Sequence, residues 1–426
     1  MLKHKLSDIA SVSVSSVDKK RSGEEKDVHL CNYTDVYRNW AITSQIKSSF
    51  LSATATDAEI SKFSLKKGQV VITKDSETSG DIGISAYVAE EFENTLLGYH
   101  CALITPKTEI CNGAYLNAFL NSSTAREYFK NNASGSGQRF SLSTRALQET
   151  PIYLPTLKIQ KIVGNFFSAI DRKISLNNEI NRNLEAMARQ LYDYWFVQFD
   201  FPDENGRPYK SSGGRMVWNE KLKRDIPEQW EVINLFDAID VQYGFPFSTE
   251  LLVDDVTNTP VVRIRDILNG TVSAYSTEET DSKYRLSRGD VLIGMDGNFH
   301  MNLWCDNQAY LNQRSVRFRQ IGGSPISALQ VMFEVAPYIK AKEQNAKGST
   351  VGHLSDKDLR GLWILKPFTH LHFSPEKTLN QIADLIVENR IEVSNLTTQR
   401  DELLPLLMNG QASVIPTEVN CDLSHC

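Results

Sequence analysis

Steps of 4, 3, 4, 3 from Ile170 land on Ile174, Asn177, Asn181, Leu184, Ala188, Leu191 and Trp195. The same steps from Ile382 land on Ile386, Asn389, Val393, Leu396, Arg400, Leu403 and Leu407. Six of the eight positions in each register are apolar, the signature of a coiled-coil seam rather than of a general amphipathic face. The spacing predicts two long helices within residues 156–200 and 369–412, each helix of about 36–40 residues and roughly 55–60 Å. Asn177 and Asn389 interrupt the two seams at the same step. A buried Asn costs stability and fixes register, because only one alignment satisfies its amide; a solvated seam edge is the competing reading.

The chain also echoes itself outside the helices. "FSLKKGQVVI" (Phe63–Ile72) resembles "YRLSRGDVLI" (Tyr284–Ile293), and each predicts a short strand, a Lys/Arg-Gly turn and a buried strand. "SLSTRALQETPIYLP" (Ser141–Pro155) aligns with "HLSDKDLRGLWILKP" (His353–Pro367) at an offset of 212 that continues through the helices. Asp35-Val36 aligns with Asp266-Ile267 at 231, and the strand pair at 221. Length changes therefore fall in the globular parts and spare the helices. The predicted fold class is α+β: two globular units of mixed β structure with helices, joined by two long helices in an antiparallel coiled coil, with a pseudo-twofold internal repeat. The expected division is a first globular unit at 1–155, a central long helix at 156–200, a connector at 201–229, a second globular unit at 230–368, a C-terminal long helix at 369–412 and a flexible tail at 413–426. The connector reading rests on Phe201–Trp230, rich in Gly, Pro and charge and lacking a helical or strand period.

Composition narrows the classes. A chain of 426 residues exceeds one hydrophobic core. No apolar run is of membrane-span length and the start carries no signal-peptide core, so a cytoplasmic location without membrane attachment is expected. The six Cys form no CxxC pair, which argues against a zinc or disulfide framework; no metal site is expected. A net charge of −6 excludes a uniformly basic coat but leaves room for a local basic groove.

Candidate chemistry lies in polar loops beside the repeated strands. These are Thr73–Gly80 with Lys74, Ser76 and Thr78; Asn131–Ser141 with Ser136, Gln138 and Arg139; Gly294–Asn302 with Asn298, His300 and Asn302; and Lys342–Thr350 with Lys347 and Ser349. Such side chains read base edges and grip phosphates, although ordinary solvated loops have the same composition. Arg139 and Arg314, one in each half, suit a guanine edge or a phosphate, or else a structural ion pair with a carboxylate. No phosphate loop, NPPY or DPPY tetrapeptide, methyl-donor glycine fingerprint, HExxH or GxSxG occurs, so no catalytic residue is assigned.

One run carries a family resemblance. "IYLPTLKIQKIVGNFFSAIDRKISLNNEINRNLEAMARQLYDYWFVQFDFP" resembles the central conserved region of specificity subunits of type I restriction–modification enzymes. Pro155, Gln160, Lys161 and Ile162 match its helix start, and "LEAMAR" with "YWFV" and "FD" its end; "QRDELLPLLMNGQASV" resembles the second conserved region. The second copy departs, with His372 where Gln160 stands. The resemblance implies two target-recognition domains, each reading half of a split double-stranded DNA site, and seam residues Ile170, Ile174, Asn177, Leu184, Leu191, Ile382, Ile386, Asn389, Leu396 and Leu403 that set the separation. It implies two methylation subunits and restriction (motor) subunits as partners, with S-adenosylmethionine, ATP and Mg held in those partners and no catalysis by this chain. A self-contained methyltransferase–nuclease and a two-armed protein scaffold are the alternatives from other classes.

Overall fold

The computed structural model describes residues 2–136, 139–297, 299–345, 352–368 and 374–412. The chain forms two compact units, Met1–Ser175 with Asn395–Cys426, and Leu176–Ser394. Both long helices, Leu157–Tyr192 and Pro375–Met408, contribute a part to each unit.

In the first unit a five-stranded sheet runs in the order Ala10–Val14, Cys101–Pro106, Val70–Thr73, Ser85–Val88, Ala41–Ile42. Its central strand reads VVIT and is buried throughout. Period-2 alternation sends Val70 and Ile72 into a cluster with Leu116, Phe119 and Phe129, while Val71 joins Cys31, Val36 and Leu103 on the other face. Leu2–Lys5 pairs antiparallel with Pro151–Leu154, which leads directly into the first long helix. Gln160 is buried there. Its Oε1 accepts from the Asn112 N–H at 2.9 Å, and its Nε2 donates to the carbonyls of Ile110 and Pro155, both at 3.0 Å. One turn on, an added Cβ at Gly164 would meet Asn112 Oδ1 at 2.7 Å, so glycine permits the close crossing. Leu404, Leu407 and Met408 of the second long helix complete the cluster that contains Val163 and Phe167.

The second unit repeats this plan. Its main sheet runs Asp240–Tyr243, Ser315–Arg319, Val291–Gly294, Met301–Leu303, and Glu231–Asn234 pairs with Trp363–Lys366. The repeat extends to single residues. Cys101 pairs with Thr73 in the first unit as Ser315 pairs with Gly294 in the second. Asp35 and Asp266, both buried, each take the N–H of the residue that starts their short helix, Asn32 at 2.7 Å and Arg263 at 2.9 Å.

Within the second unit the two helices run antiparallel: Asn177 Nδ2 donates to Glu392 Oε2 at 2.6 Å, and Asn389 Nδ2 to Asn181 Oδ1 at 3.1 Å. Asn177, Asn181, Ala188, Trp195, Ile382, Ile386 and Leu407 are buried. Ile170, Ile174, Leu184, Leu191, Asn389, Leu396 and Leu403 are half-buried, and beside Ile170 it is Asp171 that is buried. Among the described residues no helix is long and apolar enough to cross a membrane.

Three local expectations are corrected. The short strand before each Lys/Arg-Gly turn shrinks to a single bridge, Ser64 with Leu96 and Arg285 with Tyr310, because Phe63 ends a helix and Tyr284 a 3-10 turn. The segment Phe201–Trp230 is folded rather than periodless: Met216–Asn219 pairs with Arg224–Pro227, and the Phe201 ring stacks on Tyr209 at 4.8 Å and Trp230 at 4.9 Å. Rings spaced this widely in sequence join the large hydrophobic cluster of the second unit without any period. Lys342 is not in a loop, since the helix Ala328–Asn345 includes it. The tail at 413–426 and His372 lie outside the described residues.

Candidate nucleic-acid interface

In the first unit the loop after the central strand places Lys74, Asp75 and Ser76 against a hairpin of Ser134–Ser136 with Arg139–Ser141. Asp75 Oδ2 receives His100 Nδ1 at 2.6 Å and Lys74 Nζ at 2.9 Å. Burial by itself would raise the Asp75 carboxyl, yet hydrogen bonds from Ser141, His100 and Lys74 outweigh it and hold it below the usual carboxylate range. The Lys74 ammonium also lies over the Tyr99 ring at 5.6 Å, and Tyr99 meets the His100 ring edge-on at 4.2 Å. Lys74 is thus a half-buried organiser of the site rather than a free surface cation. Ser76 packs beside Tyr33, whose hydroxyl it hydrogen-bonds. Thr78 is exposed, with its N–H on Ser76 Oγ at 3.3 Å. Arg139 is exposed, and its guanidinium has no partner among the described residues.

The second unit builds the matching loop differently. Asp296 Oδ2 accepts from Arg314 Nη1 at 2.7 Å and its Oδ1 meets His353 Nδ1 at 2.6 Å. Burial again pushes this carboxyl up, and the His353 and Arg314 contacts bring it below the ordinary range. Arg314 therefore has the carboxylate partner that one sequence reading allowed, yet its side chain stays 71% exposed. His300 is half-buried, its carbonyl accepting from the Gly294 N–H at 2.9 Å. Asn302 is committed within the protein: its Nδ2 donates to the carbonyls of Ile267 at 2.9 Å and Leu268 at 3.2 Å, and its Oδ1 accepts from Arg390 at 2.8 Å. Gln138, Asn298, Lys347, Ser349 and the side chain of Ser136 lie outside the described residues.

The structure thus brings Lys74, Ser76 and the Arg139 strand into one corner of the first unit, and His300 and Arg314 to the corresponding corner of the second. It adds residues the sequence reading missed: Asp75, Tyr99 and His100 in one, Asp296 and His353 in the other. The Asp pair was within reach, since Asp75 and Asp296 share the offset of 221 seen in the adjacent strands. His100 and Arg314 differ in type, so only strand register reveals their equivalence.

Residues 3–186 and 227–367 match the type I restriction modification DNA specificity domain. The MjaIX type I restriction enzyme specificity subunit of Methanocaldococcus jannaschii is 23% identical over 323 residues, which span 73% of this chain and 71% of that one. The HindI specificity subunit of Haemophilus influenzae is 22% identical over 411 residues, 82% of this chain and 88% of its own. The crystal structure of a type I restriction–modification S subunit from M. genitalium superposes with a TM-score of 0.55 at 15% identity, covering 98% of this chain and 96% of that one; that likeness shows a shared fold.

Proposed function

This chain belongs to the type I restriction–modification DNA specificity family, and from that premise we propose that it reads a split double-stranded DNA site, one half-site per unit. The observation that carries the reading is the contrast inside the repeat. The central strand pair keeps its register residue for residue in the two units, while the polar groups on the matched loops differ, His100 against Arg314 and Ser141 against His353. A shared scaffold with divergent surface donors suits the reading of two unlike sequences.

Catalysis is assigned to partners. Methylation subunits, two per chain, dock on the long helices and bring S-adenosylmethionine; restriction subunits bring ATP and Mg. Support for helix docking comes from the first long helix, where Leu176, Ile180, Met187 and, just past its end, Tyr194 stay 37–49% exposed. From Ile180 they recur every seventh residue, a second apolar stripe beside the seam. The acidic net charge of −6 is compatible with DNA binding when partner subunits share the neutralisation of phosphates.

The test is methylome sequencing of cells that express this chain with its methylation subunit. A split motif that vanishes when this chain is omitted is expected. Methylation of the same motif by the partner alone contradicts the assignment, and methylation by this chain alone points to a self-contained enzyme.

A further inference from the structure

Two backbone hydrogen bonds in each unit place the two loops in one frame. The Lys74 N–H donates to the His100 carbonyl at 2.9 Å, as the Met295 N–H does to that of Arg314 at 2.8 Å. The Leu142 N–H donates to the Lys74 carbonyl at 2.7 Å, as the Leu354 N–H does to that of Met295 at 2.8 Å. Asp75 thereby corresponds to Asp296, His100 to Arg314, and Ser141 to His353. His100 and Arg314 also share a left-handed backbone, with φ of 73° and 63°, uncommon for residues other than glycine. The acid is constant, whereas the groups it holds change from one half to the other.

We infer that Asp75 and Asp296 are positioning residues, each holding the side chains that read one half-site: His100 in the first unit, Arg314 and His353 in the second. The inference rests on the DNA-reading function proposed above and names its residues. Each Asp engages one edge of its partner and leaves another edge outward. Asp75 takes His100 through Nδ1, which leaves Nε2. Asp296 takes Arg314 through Nη1 and His353 through Nδ1, which leaves Arg314 Nη2 and His353 Nε2 without a partner among the described residues. Side-chain exposures of 38%, 71% and 60% for His100, Arg314 and His353, against 18% for either Asp, set the holders inside and the readers outside. An arginine held at one nitrogen loses rotamer freedom before contact, so less is lost on binding. The same frame thus carries an imidazole donor or acceptor in one half and a guanidinium with an imidazole in the other.

The experiment uses the assembled complex with its methylation subunits. Once the parent's methylated motif is sequenced, duplexes carrying each base pair of that motif in every alternative are scored for binding and methylation at several salt concentrations. The variants are Arg314→Lys, His353→Gln, His100→Gln and Asp296→Asn, with Arg145→Ala as a surface control. Arg314→Lys keeps the charge and loses the fork. It is expected to lower discrimination at one base pair of one half-site by roughly ten- to one-hundred-fold, leaving the other half-site intact. His100→Gln is expected to act on the other half-site alone, and Asp296→Asn to resemble Arg314→Lys and His353→Gln combined. An unchanged motif in Arg314→Lys, His353→Gln and His100→Gln overturns the inference, even if Asp296→Asn unfolds the unit. A uniform loss of affinity with an unchanged motif overturns it as well, since that marks a phosphate contact. A parent complex that shows no split motif instead removes the DNA-reading premise.

Discussion

At the residue scale, Asp171 shows how a seam carries a charge. It sits one position past Ile170, is 9% exposed, and burial pushes its carboxyl up to about 6 although Arg400 opposes the shift. Arg400 is itself held over the Trp40 ring at 5.1 Å. A carboxyl raised in the folded state binds its proton more tightly there than in the unfolded chain. Its stabilising contribution is therefore complete below about pH 4 and is lost as pH rises through about 6. Asp171→Asn, which removes the charge and keeps the shape, is expected to stabilise the fold at pH 8 by on the order of 2–3 kcal/mol, seen as a higher melting temperature, and to leave it unchanged at pH 4. Melting curves at the two pH values check this, and equal shifts at both contradict it. The sequence hid this residue because a heptad count looks for apolar side chains. Gln160 was visible from its place in a known motif, but its three hydrogen bonds to Asn112, Ile110 and Pro155 emerge only from the fold.

At the element scale, the two helices were legible because their period repeats many times and depends on nothing outside the stretch. The predicted Asn interruptions do face the opposite helix in the second unit, where Asn389 finds Asn181 rather than Asn177. Which Asn meets which depends on the stagger of the two helices, and a single-chain period carries no stagger. A double-mutant cycle on Asn181 and Asn389 with Ala is expected to give a coupling of about 0.5–1.5 kcal/mol in urea unfolding. Additive effects would show that the amides do not interact. Strands were less legible. The buried VVIT and VLIG runs stood out, but the hairpin Met216–Asn219 with Arg224–Pro227 did not. It is held beside rings that lie far apart in sequence, and no local pattern records that.

At the scale of the whole molecule, the duplication was readable from drifting offsets, and the fold explains the drift. Strands that share a register cannot change length without moving every side chain to the other face, so length changes collect in the loops. The account makes the long helices the element that sets the distance between half-sites. Inserting four residues, about one turn, into the first helix next to Asn178 is then expected to alter the spacer and preserve both half-site sequences; an active complex with an unaltered spacer contradicts this. The central claim, that each unit reads its own half-site, is tested most directly by exchanging residues 1–150 for the equivalent segment of a relative with a different motif and sequencing the methylome. The account predicts that one half-site changes to the relative's and the other stays as in the parent. A motif in which both halves change, or neither does, contradicts it.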